Sequence, residues 1–289
     1  MVQTMSEFSF RFWDVRGALA SCSAETQRYG SNTACVEVTC GDATLILDAG
    51  SGLRLLGTEM MARKPARTHL LFTHCHYDHI PGLPFFAPFF DPERRFDVWS
   101  GHLTGTGEDG AEDGARTLAM MQDYMRAPYF PVGPEVFTAD IVTHDFHPGD
   151  RFSPEPDIAV RTCLLNHHDR AVAYRLDYRG RSLAYVTDTT HIPGKPDLSV
   201  LALVEGADAM IYDATYTDAE FPQFWNFGHS TWEEGARIAD AAGVGHYLPF
   251  HHRPSRTDGD LDRLERKARR LFERTTFAKE GARHDVARG

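Results

Sequence analysis

Leu70-Leu71-Phe72-Thr73-His74-Cys75-His76-Tyr77-Asp78-His79 is the stretch whose reading decides the fold. Residues 69–72 form a short apolar run that reads as a buried strand, and it passes directly into four metal-capable side chains within six residues. In extended or turn backbone, residues two apart project to the same side, so His74 and His76 can converge on one ion. Asp78 and His79, beyond a bend, can serve a second ion nearby. A hydrated polar turn is the bland alternative. The buried strand counts against it, because it delivers the loop to a sheet edge where rigid support and solvent access meet. Desolvating four such groups without a partner would also be costly.

One loop cannot close a two-metal site, so further ligands are expected at later strand ends. His167 and His168 follow Cys163-Leu164-Leu165-Asn166. Asp188 follows Leu183-Ala184-Tyr185-Val186-Thr187, and His251 and His252 follow Tyr247-Leu248-Pro249-Phe250. Taken singly, each reads equally well as a surface histidine or a turn aspartate. Together with the first loop, three such groups at three strand ends predict convergence on one site. Asp188, with two carboxylate oxygens, is the natural bridge between two cations. Either histidine of each adjacent pair is a candidate at this stage.

Outward from these points the chain alternates strand and helix. Phe8, Phe10 and Phe12 alternate with Ser9 and Arg11, and the runs 35–38 and 44–47 flank the turn pair Gly41-Asp42. Helices are expected at 53–61, 117–126, 197–204, 231–242 and 261–272, and strands at 136–142, 158–165, 171–177, 182–187, 209–213 and 246–249. The stretch 101–114 is glycine-rich and acidic, and reads as a mobile loop. Two sheets with helices packed outside are predicted. The expected organisation is one domain over 1–275, with a lid-like insertion near 84–134 and a loose C-terminal tail over 276–289. The insertion is expected because it carries Phe85, Phe86, Phe89, Phe90, Tyr129 and Phe130 among several prolines.

Composition narrows the function classes. The 289 residues are 42% hydrophobic and 25% charged, as in an ordinary globular protein. No apolar stretch is long enough for a membrane helix, and residues 1–20 lack a secretory h-region. Five cysteines without a C-x-x-C pair disfavour a disulfide framework, so a reducing cytoplasm is expected. The net charge of −11 opposes a protein that grips long nucleic acid by its backbone. The 15 histidines invite a metal reading without proving one.

His74-Cys75-His76-Tyr77-Asp78-His79, with Asp48-Ala49-Gly50 upstream and Thr187-Asp188-Thr189 downstream, resembles the metallo-β-lactamase-fold metallohydrolase superfamily. The resemblance implies a four-layer αββα sandwich of the α/β class with two metal ions at one edge. Asp213-Ala214-Thr215, Gly228-His229-Ser230-Thr231 and Tyr247 to His251 are similar to the RNase Z-like phosphodiesterase branch. Asp213 stands where that branch usually carries Glu. Carried over by position, His74, His76 and His167 would bind one ion, Asp78, His79 and His251 the other, and Asp188 both. The ions implied are divalent, zinc first, with manganese or iron also suited to such donors. The resemblance implies a metal-bridging hydroxide as nucleophile, with Asp78 able to take its proton and His229, aided by Asp213, acting on the leaving alkoxide. Gly228-His229 alone would read as decoration of a helix N-terminus capped by Ser230 or Thr231.

No basic tRNA-gripping arm is visible. The lysines are only Lys64, Lys195, Lys267 and Lys279, and the basic run 263–274 reads as the solvated face of an amphipathic helix. The expected substrate is therefore a small phosphodiester, a cyclic nucleotide among the candidates, under an aromatic lid of Phe85, Tyr129, Phe130, Phe224, Trp225 and Phe227. The rivals are a lactone, thioester or β-lactam hydrolase of the same superfamily, a tRNA 3′-end endonuclease, and a non-catalytic metal-dependent sensor. The family's habit of dimerising makes a homodimer an expected partner.

Overall fold

The structure is a computed structural model, and it describes residues 7–104 and 114–288. In chain order its elements begin with β1 (Phe8–Phe12), β2 (Val36–Cys40), β3 (Ala43–Leu47), α1 (Leu53–Arg63), β4 (Arg67–Phe72), β5 (Arg95–Ser100), α2 (Ala115–Tyr124) and β6 (Asp140–Asp145). There follow β7 (Arg151–Glu155), β8 (Ile158–Leu165), β9 (Ala171–Tyr178), β10 (Arg181–Val186), α3 (Leu198–Val204), β11 (Ala209–Asp213), α4 (Phe221–Phe224), α5 (Trp232–Ala241), β12 (Tyr247–Phe250), α6 (Asp258–Leu271) and β13 (Arg283–Asp285).

Seven strands form one sheet in the order β13-β1-β2-β3-β4-β5-β6, and six form the other in the order β12-β11-β10-β9-β8-β7. Strand alternation assigns each side chain to a layer. Leu45, Leu47, Leu71, Leu183, Tyr185, Ile211, Leu248 and Phe250 meet between the sheets. The intervening Ile46, Leu70 and Phe72 face outward against Leu53, Leu56 and Met60 of α1 and Met120 and Met121 of α2. On the other sheet Ala184, Val186, Met210, Tyr212 and Tyr247 face α3 and α5. This is the expected αββα sandwich. Its central strands are apolar on both faces because the partner sheet covers one face and helices the other.

Topology then positions the site. β3, β4, β5 and β6 run parallel, as do β10, β11 and β12. β8 and β10 are both antiparallel to β9, so they too share a direction. Parallel strands end on a common edge, where ligand sites of open α/β sheets form. Among the described residues no helix is long and apolar enough to cross a membrane.

Three expectations need correction. The described part of 84–134 is built into the sheet layer rather than standing off it as a lid: it supplies β5, an interior strand between β4 and β6, and α2 on the sheet's outer face. Of its aromatic residues, Phe86, Phe89 and Phe96 are buried in the layer with α1, while Phe85, Phe90 and Tyr129 are exposed. The tail is not loose. Phe277, Ala278 and Val286 are buried, and β13 pairs with β1, Phe10 opposite His284. The strand expected at 136–142 begins only at Asp140, after a short turn of 3-10 helix over Pro134–Val136. Of the expected mobile loop at 101–114, residues 105–113 lie outside the described residues.

Candidate metal centre

Every donor sits just past the end of a strand, and the chain turns sharply there. Asp188 and His251 have positive φ, 57° and 61°, as does Asp48 (62°) after β3. Non-glycine residues adopt this conformation rarely, and it clusters where function constrains the backbone. Two glycines make room. Gly228 has φ 86°, and a Cβ there would lie 2.5 Å from the His167 ring. A Cβ on Gly17 would lie 2.2 Å from the His251 ring. Only residues without a side chain let the backbone approach the two histidines so closely.

The ligand atoms of His74, His76 and His167 all lie within 4.8 Å of one another. His76 Nδ1 and His167 Nε2 face each other at 3.0 Å. Asp78, His79 and His251 form a second group of the same kind, with Asp78 Oδ2 3.1 Å from His251 Nε2. Asp188 belongs to both neighbourhoods. It groups with His74 and His79, and its Oδ2 is 3.2 Å from His79 Nε2 and 3.4 Å from His251 Nε2.

These residues fit a divalent cation on several independent grounds. His74 Nε2 and His79 Nε2 are buried and make no hydrogen bond, although two carboxylates lie within ion-pair distance of His79. Orphaned buried nitrogens are rare unless something else occupies their lone pairs. The opposite ring nitrogens are tied down. His79 Nδ1 donates to Asp48 Oδ2 at 2.9 Å and His167 Nδ1 to the Gly228 carbonyl at 2.7 Å. Thr73 Oγ1 lies 3.0 Å from His74 Nδ1, and Thr215 Oγ1 3.1 Å from His251 Nδ1. Such outer contacts fix the tautomer and leave Nε2 facing inward as a donor. Mixed imidazole and carboxylate donors suit zinc, manganese or iron.

The electrostatics agree. Burial pushes the His74 pKa well below the ordinary imidazole value. Burial opposes charge on His79 too, but Asp78, Asp188 and Asp48 outweigh it and hold its pKa well above that value. His251 is raised to about 9, burial being overcome by Asp188 and Asp78. Asp78 and Asp188 are held well below the carboxylate range by those histidines, again against burial. Without a cation, protons on His79 and His251 must neutralise the carboxylates; a bound cation releases them. A pH prediction follows. A histidine with a raised folded pKa contributes stability that is complete below its unfolded value of about 6.5. That stability is lost as pH rises through about 9. Metal-stripped protein should therefore lose thermal stability between these pH values, and added zinc should flatten the profile. A stripped protein with the same melting temperature at both pH values would refute this charge assignment.

Sequence reasoning passed over Asp48 as a site residue. Its buried carboxylate accepts from Thr73 N (2.7 Å), Thr73 Oγ1, His79 Nδ1 and Tyr185 Oη (3.0 Å). Those partners are 25, 31 and 137 residues distant, so no local pattern distinguishes it from a turn aspartate. Asp48→Ala strips all four contacts and should cost about 3–5 kcal/mol, as breaking a buried charged network does. Metal affinity should fall 10- to 100-fold, read by chelator competition on the folded fraction. Unchanged affinity would reduce Asp48 to a purely structural anchor.

The adjacent histidines separate cleanly. His168 is exposed, and its Nε2 donates to the Asn226 carbonyl at 2.6 Å. His252 Nε2 donates to the Ala278 carbonyl at 3.0 Å, and the ring stacks on Phe277. Neither joins the clusters. His229 does approach them: its Nδ1 lies 3.1 Å from Asp213 Oδ2 and 3.5 Å from Asp188 Oδ1. The shorter aspartate reaches because β11 ends directly beneath the histidine. Thr231 caps α5, accepting from Glu234 N, which leaves His229 free of the capping role. The aromatic residues form no single lid. Phe85, Tyr129 and Phe130 line one cavity with Tyr77, while Phe224 stacks on Tyr216 and Trp225 borders another cavity.

An αββα sandwich with imidazole and carboxylate donors gathered at one strand edge defines the metallo-β-lactamase class of metal-binding fold. The profile of the beta-lactamase superfamily domain matches residues 44–252, and the chain belongs to that family. Ribonuclease Z of Trichodesmium erythraeum (strain IMS101) is 32% identical over 112 residues, 38% of this chain. The matched part is 33% of that relative's length. Among solved structures, the metallo-beta-lactamase fold protein YhfI from Bacillus subtilis superposes with a TM-score of 0.72 at 17% identity, covering 97% of this chain and 99% of that one. A diphosphatase from the PhnP family superposes with a TM-score of 0.68, also at 17% identity, over 96% of this chain and 97% of that one.

Proposed function

We propose that this chain is a metal-dependent hydrolase that cleaves a small phosphodiester. The observation that carries the reading is the His229–Asp213 pair, 3.1 Å apart and adjoining Asp188. An alkoxide leaving from phosphorus needs a proton, and a carboxylate-held imidazole beside the donor cluster can supply one. The similarity to a ribonuclease and the fold likeness to a diphosphatase point the same way, both names denoting cleavage at phosphorus.

In this reading His74, His76 and His167 would hold one divalent ion, Asp78, His79 and His251 a second, with Asp188 available to both. When bound, such ions lower the pKa of water and neutralise charge on a phosphoryl oxygen. The rest falls to the protein. Asp48, Thr73, Thr215 and the Gly228 carbonyl hold the imidazoles in one tautomer and orientation. Asp78, which also accepts from Ala18 N at 2.7 Å, can take the proton from the attacking water. Asp213 accepts from His229 Nδ1, leaving Nε2 to donate to the departing oxygen. Water oxygen bonds to phosphorus, the P–O bond to the leaving group breaks with its electron pair, and the products are a monoester and an alcohol.

The net charge of −11 and the few lysines favour a small substrate over RNA. The test is a panel of bis-p-nitrophenyl phosphate, cyclic nucleotides, a precursor tRNA, a lactone and nitrocefin, run with zinc- or manganese-loaded protein. Turnover of the small phosphodiesters is expected. Lactone or nitrocefin turnover without phosphodiester turnover would refute the reading, and cleavage of precursor tRNA alone would refute the small substrate.

A further inference from the structure

A cavity of about 750 Å³ opens beside His167. Its wall includes Trp225, Ile192, Pro193 and Pro222, with His168 and Asn226 at its polar side. Trp225 is 63% and Ile192 53% exposed, large apolar surfaces left uncovered next to the cluster of donors. Among the described residues, no Asp, Glu, Lys or Arg lines this cavity. The volume is that of a small-molecule site.

Its place relative to His229 gives it a role. Residues 225 and 226 of the wall stand just before the Gly228-His229 turn. The Gly228 carbonyl fixes His167, itself a wall residue, and the His167 and His229 ring centroids are 5.7 Å apart. The group assigned to protonate the departing oxygen thus stands one ring away from the cavity, next to its wall residue His167. The other cavity, of similar volume, borders Tyr77 and Arg54 and lies on the side of the His76–His79 loop.

Resting on the phosphodiester reading, we propose that the Trp225 cavity receives the leaving alcohol, and that this alcohol is an uncharged planar ring compound. The indole offers a stacking face, and Asn226 and His168 offer polar groups at the rim. A polynucleotide leaving strand would bring further phosphates into a space that provides no cation for them. The bond that breaks joins phosphorus to the oxygen of this ring-bearing arm. That oxygen keeps the electron pair and takes the proton from His229, and water supplies the oxygen that replaces it on phosphorus.

The test compares two methyl aryl phosphodiesters on the metal-loaded enzyme. One leaves p-nitrophenol; the other leaves a sulfonated nitrophenol of matched acidity. The expected kcat/KM favours the neutral aryl group by about tenfold. Trp225→Ala should lower kcat/KM for the neutral substrate about tenfold, mainly through KM, and leave the sulfonated one unchanged. Ile192→Lys, a change at an exposed position, should raise kcat/KM for the sulfonated substrate several-fold. If the wild type hydrolyses neither ester, the phosphodiester reading itself fails. If it hydrolyses both while the variants leave the preference unaltered, or Trp225→Ala slows both equally, the cavity assignment is overturned and the reaction class stands.

Discussion

Asp188→Asn should abolish most of the hydrolysis, by about a thousandfold or more, together with loss of bound metal. Asparagine has nearly the same shape and tolerates the positive φ of 57° that this position requires. The backbone turn after β10 is thus preserved, and the substitution removes charge rather than structure. What disappears is the carboxylate that lies 3.2 Å from His79 and 3.4 Å from His251 and groups with His74. Two cations held close together repel each other, and a shared carboxylate offsets that repulsion. Losing several kcal/mol of charge stabilisation at the reacting centre corresponds to the stated factor. Elemental analysis should find less than one equivalent of metal in the variant, against an expected two in the wild type. A variant that keeps two equivalents and wild-type turnover would show that Asp188 is no ligand. The melting temperature in the presence of excess metal is the control, and it should separate lost ligation from lost folding.

His229→Asn should leave metal content intact and still lower kcat by about a hundred- to a thousandfold, the usual worth of a positioned general acid. The side chain is only partly buried and its polar neighbours are Asp213 and, at 3.5 Å, Asp188, so its removal opens no core cavity. The size of the loss should depend on the leaving group. An alkoxide needs a proton as it departs, whereas p-nitrophenolate does not. Loss of two orders of magnitude with an alkyl ester, and of less than tenfold with a p-nitrophenyl ester, would fit proton donation. An equal loss on both esters would point to stabilisation of the phosphoryl group instead. Wild-type rates on both would remove His229 from the mechanism. Asp213→Asn, which alters the partner of Nδ1 without touching the ring, should reproduce the leaving-group dependence in weaker form.

Both expectations rest on residues legible in the amino-acid sequence, though not equally. The four candidate donors His74, His76, Asp78 and His79 are legible because they lie within six residues, where backbone periodicity alone governs which side chains face together. His167, Asp188 and His251 are legible as a class, because each follows an apolar strand. Which member of a histidine pair turns inward is not. A one-residue change of register reverses the face a side chain presents, and register depends on pairing with distant strands. The structure turns His167 toward His76 and His168 toward the Asn226 carbonyl, and it buries His252 against Phe277 rather than at the cluster.

The misread segments share a cause. Residues 84–134 are rich in phenylalanine, which a lid and a core layer would equally explain. Pairing of β5 between β4 and β6 decides for the core. The tail has only three paired residues, and their partners in β1 lie at the opposite end of the chain, Ser9 opposite Asp285. Asp48 likewise takes its meaning from Thr73, His79 and Tyr185. The amino-acid sequence by itself thus determined the sandwich class and most of the candidate metal donors, because local spacing and strand-end position carry that information. Only the tertiary structure decided which neighbouring histidine faces inward, which carboxylate orients the donors, and which cavity lies beside His229, because each depends on contacts between residues far apart in the chain.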